Sequence, residues 1–82
     1  MEKTTTKVVE ATNISRRALI DALLDGRLTG RQISPKLWLI DVDDPSFDTF
    51  LDDHEKWLSV RKRKDPIFEE FLKQHREEKS KG

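Results

Sequence analysis

Apolar residues recur at three- and four-residue spacing through most of this chain, interrupted by one short run near the middle that alternates instead. Ala18, Leu19, Ala22 and Leu23 form one stripe at about 100° per residue, the helical period. Ser15 precedes the stripe as an N-cap, and Gly26 follows it as a left-handed stop, so a helix is predicted over 15–25. Upstream, Thr6 is placed to cap a shorter helix through Val8, Val9 and Ala11 to Thr12, and Asn13 suits the left-handed backbone of a tight turn. Two helices joined so closely make a helix-turn-helix. Met1 to Thr5 carry too little apolar surface to be held in place alone.

After Gly26 the pattern changes. Arg31-Gln32-Ile33 reads as extended, Ser34-Pro35-Lys36 as a turn, because proline fixes φ and cannot continue a ladder, and Leu37-Trp38-Leu39-Ile40 as the returning strand. Period-two geometry puts Trp38 with Ile40 on one face and Leu37 with Leu39 on the other. Asp44 and Pro45 then give a cap and a first helical position. Phe47, Phe50, Leu51, His54, Trp57 and Leu58 continue the helical stripe, predicting a helix over 45–64 with Trp57 in the core. Asp65-Pro66 repeats the cap-plus-proline signal and opens a last helix bearing Ile67, Phe68, Phe71, Leu72 and His75 on one side. The expected fold is mainly α with a two-stranded wing: a winged helix-turn-helix at 1–51 and a helical C-terminal extension at 52–82, within a single compact domain.

Ser15-Arg16-Arg17, the apolar stripe, Asp25-Gly26-Arg27-Leu28, Ile33 and Leu37-Trp38-Leu39-Ile40, taken in that order, resemble the small excisionase-type, MerR-like winged-helix DNA-binding proteins over roughly residues 8 to 51. The resemblance implies that Trp38 and Ile40 plug the core and that the 15–25 helix enters a major groove with the wing on adjacent backbone or minor groove. Ser15, Arg16 and Arg17 on the helix, with Arg31, Gln32 and Lys36 on the wing, are the DNA-binding candidates. Arginine suits such contacts, because a guanidinium reads guanine bidentately or grips phosphate.

The charge distribution sharpens this picture. The chain has 16 basic and 16 acidic residues, yet residues 1–40 hold seven basic against four acidic, 41–60 one against seven, and 61–82 eight against five. The acidic middle is expected to face away from a phosphate backbone. The Arg61-Lys62-Arg63-Lys64 run has three readings: a solvated helix end, an auxiliary phosphate contact or a basic address motif.

Enzymatic chemistry is not expected. The chain has no cysteine, His54 and His75 stand apart without a nucleophile motif, and Asp41, Asp43 and Asp44 lack the glycine and terminal glutamate of a calcium loop. No cofactor is therefore implied. No apolar run reaches the roughly 18 residues of a membrane span, and none follows the start as a signal peptide would, so the expected setting is the cytoplasm without membrane contact.

These features together predict a sequence-specific duplex-DNA-binding protein serving transcriptional regulation or DNA recombination and excision. One small module reads a short site, which favours a homo-oligomer or a cooperative array. A different class stays open, a protein-interaction module. Leu37 and Leu39 outside the wing and Ile67, Phe68, Phe71 and Leu72 on the last helix are two apolar strips wanting cover. Either they cover one another within the chain, or the tail crosses to a second copy, the arrangement expected from the short 64–66 joint.

Overall fold

The computed structural model describes residues 1–81, arranged as β1 (Glu2–Thr4), α1 (Thr5–Thr12), α2 (Arg16–Leu24), β2 (Gly30–Ser34), β3 (Leu37–Asp41), α3 (Pro45–Val60) and α4 (Pro66–Lys81). Local chemistry sets the helix ends. Ser15 accepts from the Ala18 N–H at the start of α2, Asp44 accepts from Ser46 at the start of α3, and Asp65 accepts from the Phe68 N–H at the start of α4. At the end of α2, the Gly26 N–H bonds the Leu23 carbonyl and the Arg27 N–H bonds the Ala22 carbonyl, with Gly26 at φ +80. That reciprocal pair satisfies carbonyls a helix end would otherwise strand.

Two boundaries differ from expectation. Helix α1 is capped by Thr4, whose hydroxyl accepts from Lys7, so Thr6 lies inside the helix. Helix α3 stops at Val60, four residues short of Lys64. There Lys62 takes the left-handed conformation at φ +55, its N–H bonds Ser59, and the Arg63 N–H bonds the Leu58 carbonyl at 2.9 Å. The motif is the one that ends α2, built without glycine, and therefore without a sequence signal.

The expected two-stranded wing is a three-stranded antiparallel sheet in the order β1-β3-β2. Residues 2–4, expected to be too polar to order, pair with β3: Glu2 opposite Asp41, Lys3 opposite Ile40 and Thr4 opposite Leu39. Backbone bonding holds them, and the ladder needs no apolar side chains. Arg31 on β2 and Glu2 on β1 form a two-pronged ion pair at 3.1 and 3.2 Å. Since β3 lies between those strands, the long Arg31 stem spans it on the face that bears Leu39. This explains why Leu39 is half-buried; Leu37 is half-buried too, while Ile33, the extra residue of a bulge between Gln32 and Ser34, is exposed.

One hydrophobic cluster runs from Val8 to Leu72 and draws on every helix, with Ile40 as the sheet's fully buried contribution. Trp38, half-buried, packs against it, so that of the two faces the alternation left open the core takes the one bearing Trp38 and Ile40. Helix α4 corrects the tail reading. Phe68 and Leu72 are buried in the chain's own core and Phe71 packs against it edge-on to Phe47, so these residues do not form a surface for a second copy. The joint at 64–66 turns α4 back onto α1 instead of carrying it away. The boundary at 51–52 falls inside α3. No helix among the described residues is long and apolar enough to cross a membrane.

Two threonines at the ends of α1 are fully buried and contrast in their bonding. Thr12 donates to the Val8 carbonyl and accepts from the Ile14 N–H, whereas the Thr5 hydroxyl has no partner among the described residues. An unpaired buried hydroxyl is destabilising, and valine has the same shape without it. Thr5→Val is expected to stabilise by about 1 kcal/mol, raising the melting temperature by roughly 4–8 °C. A thermal melt that falls on this substitution would show the hydroxyl is satisfied.

Candidate nucleic-acid interface

The first turn of α2 and the tip of the β2–β3 hairpin are brought together by one side chain. Arg16 donates from Nη2 to the Thr6 hydroxyl at 2.8 Å and from Nη1 toward the Lys36 carbonyl at 3.5 Å, so it braces α1, α2 and the wing turn at once. Both acceptors are neutral, and the guanidinium keeps its full positive charge at the surface. Arg17, the next residue round the helix, is widely open, its side chain 90% exposed with Asp21 only at the outer limit of ion pairing, 3.9 Å. An exposed pair at that distance is worth little and yields readily to a stronger anion. Ser15 commits its hydroxyl to the cap and is a positioning residue here.

The wing candidates divide. Lys36 lies beside Arg16 at the turn and is exposed. Arg31 is bound to Glu2 across the sheet through Nε and Nη2, so its charge is already paired. Gln32 is opposite Trp38 and exposed. The cations at the junction of α2 and the hairpin turn are thus Arg16, Arg17 and Lys36, and Gln32 is exposed on β2. Beyond them on α2, Asp21 and the 68%-exposed Leu24 continue the outer face.

Helix α2 also borders an open groove lined by Ser15, Ala18 and Asp21 together with Trp57, Arg63 and Lys64. Trp57, expected in the core, is 43% exposed and outside the buried cluster. Its place on the α3 stripe is at the margin, and the core takes Phe50, Leu51 and Leu58 instead. His54 stacks against it and meets Phe68 edge-on at 4.7 Å; burial lowers the His54 pKa, against a smaller pull from Asp65. An uncharged His54 suits that aromatic setting at neutral pH.

The acidic middle block is taken up by structure. Asp44 caps α3 and accepts from the Ser46 hydroxyl and N–H and from Thr29, which holds its carboxyl below the usual carboxylate range. Asp48 pairs with His75 and Lys79; burial pushes its pKa up, and these two partners more than offset that. Asp52 and Glu55 share Arg76. These pairs lie along the α3–α4 seam, away from α2. No group of three His, Asp or Glu side chains among the described residues could hold a metal ion. No protein-family model, curated protein or solved structure matches this chain.

Proposed function

We propose that this protein binds duplex DNA sequence-specifically, as a winged helix-turn-helix of the excisionase-type, MerR-like kind, with α2 in the major groove and the β2–β3 hairpin on the neighbouring backbone. The observation that carries the proposal is the Arg16 brace. It joins the first turn of α2 to the hairpin tip, bringing Arg16 and its neighbour Arg17 beside the exposed turn at Lys36, with Asp21 only at the 3.9 Å limit of pairing with Arg17. A helix N-terminus, exposed guanidiniums and a two-strand turn are what groove and phosphate recognition require. Regulation of transcription or assistance to DNA recombination both use such a module, without catalysis of its own.

Arg17→Ala tests it most cleanly, because Arg17 braces nothing. Binding to a selected site, followed by fluorescence anisotropy, is expected to weaken by about 1–3 kcal/mol with the thermal melt unchanged. Unaltered affinity would move the reading surface off α2. The protein-interaction reading is left with Ile33, Leu37 and Leu39 on the outer sheet face, since the tail's apolar residues are largely inside. Absence of binding to any duplex at low salt would favour it.

A further inference from the structure

We infer that the turn joining α3 to α4 is a second phosphate-binding surface, one that grips the backbone of the duplex whose groove α2 enters. It rests on the DNA-binding reading above and adds to it a contact apart from α2 and the wing.

The first argument is electrostatic. Arg27 pairs with Asp25, Arg31 with Glu2, Arg76 with Asp52 and Glu55, and Lys79 with Asp48. Arg61, Lys62, Arg63 and Lys64 are four consecutive cations, and among the described residues none of them has a carboxylate within ion-pair distance. Concentrated like charge without partners raises the energy of the free protein and is relieved by an anion.

The second is preorganisation. The guanidinium carbons of Arg61 and Arg63 lie 4.6 and 5.8 Å from the centre of the Trp57 ring. Stacking occupies the flat face of a guanidinium and leaves its edge N–H donors free, so the indole orients two forks for an oxyanion without using their donors. The indole is itself held: His54 stacks on it and contacts buried Phe68. Backbone bonds from Lys62 and Arg63 to Ser59 and Leu58 fix the turn beneath.

The third is placement. Asn13, in the turn between α1 and α2, donates to Asp65 at 3.1 Å, which ties the basic turn to the start of the reading helix. Arg63 and Lys64 line one groove with Ser15 and Asp21 of α2, and because Asp21, Asp53 and Asp65 line it too, a phosphate is expected to meet the cations at the outer edge of the turn and not within the groove.

The salt dependence of binding to a fluorescent pool of random-sequence duplexes decides the matter, because each neutralised phosphate contributes about 0.9 to the slope of log K against log salt. Arg61→Gln with Arg63→Gln is expected to lower that slope by about two while leaving the sequence preference on a selected site intact. Arg61→Lys with Arg63→Lys is expected to keep the slope and lose affinity, since charge is retained and the planar fork is not. Thermal melts of both variants check folding. If the unsubstituted protein binds with a steep slope and the Gln variant matches it, the second surface is refuted and the α2 reading stands. If the unsubstituted protein fails to bind at low salt, both fall.

Discussion

Truncation after Lys64 is expected to abolish cooperative folding. The cut removes Phe68 and Leu72 from the core and Phe71 from its edge, and uncovers the α1 and α3 surfaces they occupy. Each such side chain is worth about 1.5–3 kcal/mol when fully buried. A domain of this length has roughly 4–12 kcal/mol in all, at about 0.05–0.15 per residue, so the loss consumes most of it. The single substitution Phe68→Ala isolates one ring and should cost about 3–5 kcal/mol. Circular-dichroism melts read both. A truncated chain that melts cooperatively near the full-length temperature would mean that α4 only leans on a domain complete without it.

Gly30→Ala is expected to approach Phe68→Ala in cost, for a reason of space. A Cβ at that position would lie 2.3 Å from the Leu39 carbonyl oxygen and 2.6 Å from a methyl carbon of Leu23. The leucine can turn aside, but the backbone oxygen belongs to the central strand and cannot. Overpacking of this kind costs about 3 kcal/mol when side-chain rotation offers no relief. Gly26 is the instructive control. It has open space around it but a φ of +80, so Gly26→Ala should cost only the conformational penalty, about 1–2 kcal/mol. Chemical denaturation of the two variants separates crowding from backbone preference. Equal losses would show that Gly30 is not pressed between strand and helix.

Gly30 also marks where sequence reading stops. In the sequence it is one glycine ahead of a strand; the close approach of α2 and β3 that requires it is a tertiary fact. Ser15 and Gly26 were legible because caps and left-handed stops are settled within a few residues, and the sharing of one face by Trp38 and Ile40 because alternation is local too. The end of α3 was not, since Lys62 adopts a left-handed conformation that glycine or asparagine would have announced. Strand β1 left no trace in its own composition, for its partner is a strand far along the chain. The last helix showed its apolar face plainly but not what covers it. Arg31 was a reasonable contact candidate by type, and only the sheet order reveals that Glu2 claims it. Trp57 lay on the stripe by spacing, yet the small rotation that exposes it depends on how α3 sits on its neighbours.

The sheet has a further consequence for the order of assembly. Its β2–β3 seam closes across a two-residue turn, whereas its β1–β3 seam joins Thr4 to Leu39 across two helices and a hairpin. Loop-closure entropy makes the first seam early and the second late. Strand β1 is therefore the last part of the sheet to dock and the first to release. Because Glu2 holds Arg31 only while β1 is docked, each opening of that short strand frees a cation on the wing.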